Sequence, residues 1–184
     1  MGSVAVTVAT LDSPVGPLTA GVTDAGLALL EFSDPARLDP QLATLHRLFG
    51  PTDGGGHPML DQVTTELAEY FAGTRRRFEV PLVIKGTPFQ EAVWRALLAI
   101  PYGTTCAYSD VAARLGKANG QRAVGLANGQ NRIAIVIPCH RVIERAGGLR
   151  GYGGGLPRKK FLLDLEGRGS NPLAGTPLGA ELER

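Results

Sequence analysis

The sequence predicts an α/β N-terminal domain, a small sheet plus helix, followed by a mostly helical C-terminal domain resembling a winged helix-turn-helix. Three observations point there. Residues 1–32 hold β-rich runs, and residues 59–71 switch to helical spacing. Two short helices joined by a glycine-containing turn lie between Ser109 and Ala127. Charge divides with the pattern: residues 1–85 hold six basic and ten acidic side chains, residues 86–170 twelve basic and five acidic. The boundaries read as 1–84 for a support domain, 85–168 for the second domain and 169–184 for a tail.

In the first domain, Val4-Ala5-Val6-Thr7-Val8 is β-rich and Leu27-Ala28-Leu29-Leu30-Glu31-Phe32 is a second apolar run. Residues 33–57 contain three prolines and Gly54-Gly55-Gly56, so part is loop, with a short helix within Gln41 to Phe49. Leu60, Val63, Leu67 and Tyr70/Phe71 recur at helical spacing until Gly73. No catalytic constellation is visible here.

The second domain opens at Thr87-Pro88-Phe89-Gln90. Thr87 can cap, Pro88 suits the first helical position, and Gln90 can reach back to complete a capping box. Phe89, Val93, Trp94 and Leu97 form the apolar stripe, and Trp94 reads as core. Ser109 caps a helix over Asp110 to Leu115, ended by Gly116. After a turn of three or four residues, Asn119 caps a second helix running to about Ala127. Ala123, Gly125, Ala127 and Gly129 permit close approach to a partner surface, or tight packing on the first helix. Ile133-Ala134-Ile135-Val136-Ile137 reads as a strand. Gly147 to Gly155 reads as a mobile loop or wing. Pro157 starts a helix through Glu166, closed by Gly167, and the proline- and glycine-rich tail reads as disordered.

Composition narrows the function classes. No apolar stretch approaches the ~20 residues that span a membrane. Met1-Gly2-Ser3-Val4 has no basic region leading an apolar segment, so no secretory signal is expected. Cys106 and Cys139, the two cysteines, suit a reducing cytosol, and the expected location is cytoplasmic. They are too few for a cysteine-rich zinc site, and the three histidines lack ligand spacing, so no metal is expected. The positive second half predicts attraction to a polyanion that weakens as salt rises. A solvated basic face is the other reading.

The chemistry concentrates in Pro138-Cys139-His140-Arg141-Val142. The thiolate is the reactive form of cysteine, and imidazole with nearby positive charge favours it. A buried structural cysteine beside a hydrogen-bonded histidine is the alternative. Around the pentapeptide lie Ile100-Pro101-Tyr102-Gly103-Thr104-Thr105, Tyr108, Arg122-Ala123-Val124-Gly125 and Ala127-Asn128-Gly129-Gln130-Asn131. Beyond it come Gly151-Tyr152-Gly153-Gly154-Gly155-Leu156, Lys159 and Leu163-Asp164-Leu165-Glu166-Gly167. This ordered set resembles the O6-alkylguanine-DNA alkyltransferases, the methylated-DNA–protein-cysteine methyltransferases. The resemblance is strong over residues 70–167 and weaker over 12–32, where Pro14-Val15-Gly16-Pro17-Leu18 and Gly26-Leu27 carry it.

The resemblance implies a DNA repair protein. Its partner is double-stranded DNA containing O6-alkylguanine, chiefly O6-methylguanine, with O4-methylthymine as a second lesion. The damaged nucleotide is flipped from the minor groove, and its alkyl group passes irreversibly to Cys139. No cofactor and one turnover per molecule are implied, as is a monomer, with assembly of several copies on DNA left open. His140 acts as base through a water, and Glu166 orients it. Tyr108 hydrogen-bonds the leaving guanine. Arg122 enters the duplex and fills the gap left by the extruded base. Asn131 joins the recognition helix to the active-site strand. The carbonyls of Cys139 and Val142 accept from guanine's amino group. Tyr152 and Gly153 form the far wall of the pocket, and Asn128 lies near the opposite wall. Arg141 binds either a carboxylate or a phosphate.

Four positions depart from the family pattern or lack a role in it. Arg132 stands where a proline usually follows Asn131, removing a backbone restraint and adding a charge. Glu144-Arg145-Ala146 is unusually charged. Gly153 offers the guanine oxygen a backbone N–H only. Cys106 reads as packing. Two further functions remain open on the residues alone: a module that binds or signals alkylguanine without reacting, and an acyl-transfer thiol enzyme. The complete set of Cys139, His140 and Glu166 argues against the first. Adjacent chain positions rarely give the direct nucleophile–base contact the second needs.

Overall fold

The computed structural model describes residues 5–149 and 151–170, which divide into two compact units. One comprises the chain up to Lys85 together with Arg132–Val136; the other comprises Gly86–Asn131 and the chain from Ile137 onward. Val4, Arg150 and residues 171–184 lie outside the described residues, and with them part of the first-strand reading, of the wing and most of the tail.

The first unit is a four-stranded sheet of β1 (Val6–Leu11), β2 (Leu18–Thr23), β3 (Gly26–Phe32) and β4 (Thr52–Gly54), in the order β3-β2-β1-β4. β2 pairs antiparallel with β1 and β3, and β4 runs parallel to β1. The sequence reading anticipates β1 and β3 but neither β2 nor β4. Every residue of β2 and β3 is buried. β2 does alternate in sequence, Leu18-Thr19-Ala20-Gly21-Val22-Thr23, but the run is short and carries Gly21, a residue poor in strand propensity. The β2–β3 turn closes at Gly26, φ 151°, where a Cβ would collide with the Pro81 carbonyl.

α1 (Pro35–Phe49) begins six residues before the expected Gln41 start. Pro35 supplies a preset first turn, and Pro40 is tolerated inside the helix for the loss of one backbone hydrogen bond. Leu38, Leu42, Leu45 and Phe49 of α1 pack against Val6, Val8, Ala28 and Leu29. α2 (Pro58–Phe71) buries Leu60, Val63, Leu67 and Tyr70, the predicted stripe. Its first turn is capped by His57 Nδ1, which accepts from the Met59 amide at 3.0 Å.

β3 is an edge strand, and backbone from elsewhere in this unit covers its open side. Leu27 N donates to Pro81 O at 2.8 Å, and Val83 N donates to Leu27 O at 2.8 Å. Leu30 N donates to Arg132 O at 2.9 Å, and Ala134 N donates to Leu30 O at 2.8 Å. The expected strand over residues 133–137 is therefore corrected: Ile133 forms one bridge with Leu30, and the chain then turns. Ile135 sits at φ 71°, a left-handed conformation that is costly for a β-branched residue. A short apolar run does not distinguish a buried strand from a buried turn. Arg132 is buried, and its guanidinium donates to the Lys85 carbonyl.

The second unit opens with α3 (Pro88–Leu98). The capping box forms as read: Gln90 N donates to Thr87 Oγ1 at 3.2 Å and Thr87 N to Gln90 Oε1 at 2.9 Å. α4 (Tyr108–Arg114) and α5 (Gln121–Gly129) are the helix pair. Both expected caps shift. Ser109 lies inside α4, where Asp110 Oδ2 instead accepts from the Ala107 amide at 3.2 Å. Asn119, at φ 62°, sits in the turn before α5. Asparagine tolerates that left-handed conformation better than most residues. Six residues, Leu115 to Gly120, separate the helices. Trp94 is buried, and its indole N–H donates to Ala127 O at 2.9 Å, tying α3 to α5. The short strands β5 (Cys106–Ala107) and β6 (Val142–Ile143) run parallel. α6 (Leu156–Ser170) continues through Gly167, past both the expected helix end and the expected start of the tail.

Candidate active site

Pro138 leads into a single 3-10 turn, Cys139–Arg141, directly before β6. Cys139 N donates to Ile137 O at 2.7 Å and Arg141 N to Pro138 O at 3.0 Å. The cysteine is thus delivered by a tight turn, not by the end of a strand. Cys139 is 4% exposed, His140 0% and Arg141 7%. Charged groups at that depth must be paired.

Their partner is Glu166 on α6. Its Oε1 accepts from His140 Nε2 at 2.7 Å and from Arg141 Nη2 at 2.9 Å, while Oε2 accepts from Arg141 Nε at 2.9 Å. The Gly103 amide donates to Oε2 at 3.4 Å, and Arg141 Nη1 donates to Ile100 O at 2.7 Å. Arg141 therefore binds a carboxylate, in the bidentate geometry its planar fork favours. Burial would push the Glu166 carboxyl up, but His140 and Arg141 outweigh it and hold the group well below the usual carboxylate range. With Nε2–H donating to Glu166, Nδ1 is the basic nitrogen of His140. That atom is buried and has no hydrogen-bond partner among the described residues.

Two asparagines tie the end of α5 to this turn. Asn131 Nδ2 donates to Ile137 O at 2.9 Å, and Asn128 Nδ2 donates to Cys139 O at 3.3 Å. Behind the turn, Lys159 of α6 is fully buried and donates from Nζ to Val142 O at 2.6 Å. The same ammonium lies 5.9 Å from the Tyr108 ring centroid and 5.8 Å from that of Tyr152. Burial pulls the Lys159 amine down to about 8, against the raising influence of negative charge at Cys139 and Glu144. Burial, then the same two negative charges, pushes the Tyr108 phenol up. Cys139, Tyr108, Lys159 and Glu144 thus share one electrostatic neighbourhood.

A cavity of about 630 Å³ opens beside them, lined by Tyr108, Arg122, Gly125, Glu144, Arg145 and Gly151 among others. α5 buries Val124, Ala127 and Asn128 and exposes Arg122, Ala123 and Leu126. Cys139, His140, Glu166, Asn128, Asn131 and Val142 are brought together by hydrogen bonds, with Tyr108 and Tyr152 joined through Lys159. Arg122 lies on the cavity wall with Tyr108. Gly153 is exposed and follows Tyr152 ahead of α6. Sequence reasoning assigned no part to Lys159. The signal was present: Lys159, Leu162, Leu163 and Glu166 recur at helical spacing, so both charges sit on a buried stripe. Cys106 is buried and unbonded to Cys139, with its thiol pushed up by burial. Among the described residues, no group of metal-ligating side chains is assembled, and no helix is long and apolar enough to cross a membrane.

Two family models match. Residues 6–84 fit the 6-O-methylguanine DNA methyltransferase ribonuclease-like domain, and residues 88–168 fit the DNA binding domain of the same proteins. The methylated-DNA–protein-cysteine methyltransferase of Mycobacterium bovis is 45% identical over 161 residues, covering 85% of this chain and 90% of its own. That of Methanosarcina barkeri is 41% identical over 157 residues, covering 85% and 94%. Among solved structures, Mycobacterium tuberculosis OGT in complex with DNA aligns with a TM-score of 0.78 at 39% identity, covering 98% of this chain and 100% of that one. The O6-methylguanine-DNA methyltransferase of Pyrococcus kodakaraensis aligns with a TM-score of 0.63 at 27% identity, covering 88% and 99%.

Proposed function

We propose, because this chain belongs to the methylated-DNA–protein-cysteine methyltransferase family, that Cys139 is the sulfur that receives the alkyl group. The protein repairs DNA by alkyl transfer to cysteine. Its substrate on this reading is O6-alkylguanine in duplex DNA. The alkylated oxygen is hidden in the base stack, so the nucleotide must be flipped out before sulfur can reach it. The exposed face of α5, with Arg122 among small residues, suits a helix laid in the minor groove, and Arg122 fills the gap in the stack.

The observation that carries the mechanism is the orphan nitrogen of His140. Nε2 is committed to Glu166, and Nδ1 is buried without a partner, poised to take the Cys139 proton through a water. Glu166 and Arg141 fix the imidazole and offset the charge it gains. Sγ attacks the alkyl carbon in line; the S–C bond forms, the C–O bond breaks, and guanine leaves with the electron pair. Tyr108 donates to ring nitrogen N3 as charge develops there. Lys159 sets its ammonium against the rings of Tyr108 and Tyr152 and so holds both in place. Val142, Tyr152, Gly153 and Asn128 shape the pocket, and Asn131 holds α5 to the reactive turn. The product thioether is a poor leaving group, so each molecule turns over once. Atoms balance without a cofactor. Two cysteines with no disulfide between them suit a reducing cytoplasm.

Intact-mass spectrometry after incubation with an O6-methylguanine duplex tests this: a gain of one methyl on Cys139 is expected, and an unchanged mass would favour a binding module. Arg122→Ala is expected to slow reaction with duplex about tenfold or more while sparing reaction with free O6-benzylguanine. Equal effects on both substrates would remove its role in extrusion.

A further inference from the structure

We propose that Leu126 seats α5 against the deoxyribose wall of the minor groove, giving the engaged complex a contact that salt does not weaken. This rests on the reading that α5 docks in that groove. Leu126 is 66% exposed, more than any other large apolar side chain among the described residues. A single exposed leucine is ordinary on a protein surface. The setting of this one is not. It lies four residues after Arg122, so the two side chains are neighbours on one helix face, about 6 Å apart along the axis. Ala123 is exposed beside them, and Gly125 is partly buried. Gly125 faces Tyr108: a Cβ there would meet Tyr108 Cδ1 at 3.8 Å. The open side of α5 thus offers one cation and one apolar side chain, set among small residues and next to the Tyr108 ring.

The helix presents that pair in fixed geometry. Its inner side buries Val124, Ala127 and Asn128. The Trp94 indole N–H donates to Ala127 O at 2.9 Å, and Asn128 Nδ2 donates to Cys139 O at 3.3 Å. Helix propensity does not account for Leu126, because alanine is the better helix former. Core packing does not account for it either, because most of the side chain is open to solvent. A DNA partner does. The match to the DNA binding domain spans residues 88–168 and so includes α5. Proteins that bind the minor groove carry apolar side chains, leucine among them, on the docking element. Here Arg122 takes the gap in the stack, and Leu126, a turn further along, covers the sugars beside it. Sugar contacts fix register and carry no sequence information, which suits a protein that meets lesions in any sequence. Leu126 neutralises no phosphate, so its contact releases no counterion.

Second-order alkylation rates on an O6-methylguanine duplex, read by intact mass across a salt series, test the proposal. Leu126→Ala and Leu126→Gln are expected to react about three- to tenfold more slowly than the wild type at every salt concentration, with the slope of log rate against log salt unchanged. Leu126→Met, which keeps the apolar volume, is expected to react as the wild type does. Wild-type rates in Leu126→Ala or Leu126→Gln would overturn the proposal, as would a loss confined to low salt. A melting temperature that falls in step with the rate would also overturn it, by making Leu126 a structural residue. Arg122→Ala, measured alongside, separates this inference from the reading beneath it. If Arg122→Ala is slow while the Leu126 variants are not, the inference alone fails. If all of them react as the wild type does, the docking of α5 fails, and the inference with it.

Discussion

Cys139→Ala is expected to abolish alkyl transfer and to leave duplex affinity essentially unchanged. Cys139 is 4% exposed and lies in the turn before β6, while Arg122, on the exposed side of α5, is the residue proposed to enter the duplex. Non-specific DNA affinity comes from cations on phosphates, and removing one sulfur alters none of them. The lost sulfur leaves a small void costing ~1 kcal/mol, too little to unfold a domain. Intact mass after exposure to O6-methylguanine duplex reads the first half, and fluorescence anisotropy with undamaged duplex reads the second. Alkylation that persists in the variant would identify Cys106 as an acceptor. Lost DNA affinity would mean that the turn supports the binding face.

Glu166→Ala destabilises the protein by about 3–5 kcal/mol, the range for stranding buried charges by removing their partner. Arg141 would keep its bond to Ile100 O but lose the bidentate carboxylate, and His140 would lose the acceptor that fixes its tautomer. On the proposed mechanism alkylation is expected to slow at least ~100-fold in the molecules that remain folded, since His140 would lose its orientation. Urea unfolding and single-turnover kinetics measure the two effects. The pH dependence has a definite sign. The folded carboxyl ionises well below its unfolded counterpart, near 4.3, so its contribution is complete above that pH and is lost as pH falls through the folded value. Wild-type stability is therefore expected to fall more steeply below pH 4 than that of Glu166→Gln. Parallel curves would show that Glu166 holds no charge in the folded state.

Legibility in the sequence followed the range of the physics. The Thr87–Gln90 capping box and the stripe of α2 were readable because their partners lie within a turn or two. The α4–α5 pair was readable as a pair, but its caps were not. Ser109 and Asn119 are good cap residues, yet one lies inside a helix and the other in a left-handed turn: α4 starts two residues before Asp110, whose carboxylate bonds back to the Ala107 amide, and Gly120 takes the position before α5. β2 and the turn at Ile135 were hidden for different reasons: β2 is a short run of mostly small residues interrupted by Gly21, and a short apolar run does not tell a buried turn from a buried strand. Arg141 showed the limit at the site itself. Its partner was undecidable until α6 brought Glu166 back across 25 residues of chain separation. Lys159 belonged to the matched residues and to the buried stripe of α6, but a basic side chain on a basic domain drew no notice.

The borrowed cover on β3 has a consequence for biosynthesis. Leu30 obtains both its backbone partners from Arg132 and Ala134, about a hundred residues downstream. At ~5–20 residues per second, a nascent chain carries that strand with an unguarded edge for roughly 5–20 s before the ribosome delivers its complement. An exposed edge invites pairing with other chains. The growing polypeptide thus passes through an interval in which the Leu30 end of that edge, beyond the part that Pro81 and Val83 cover, is open to other chains.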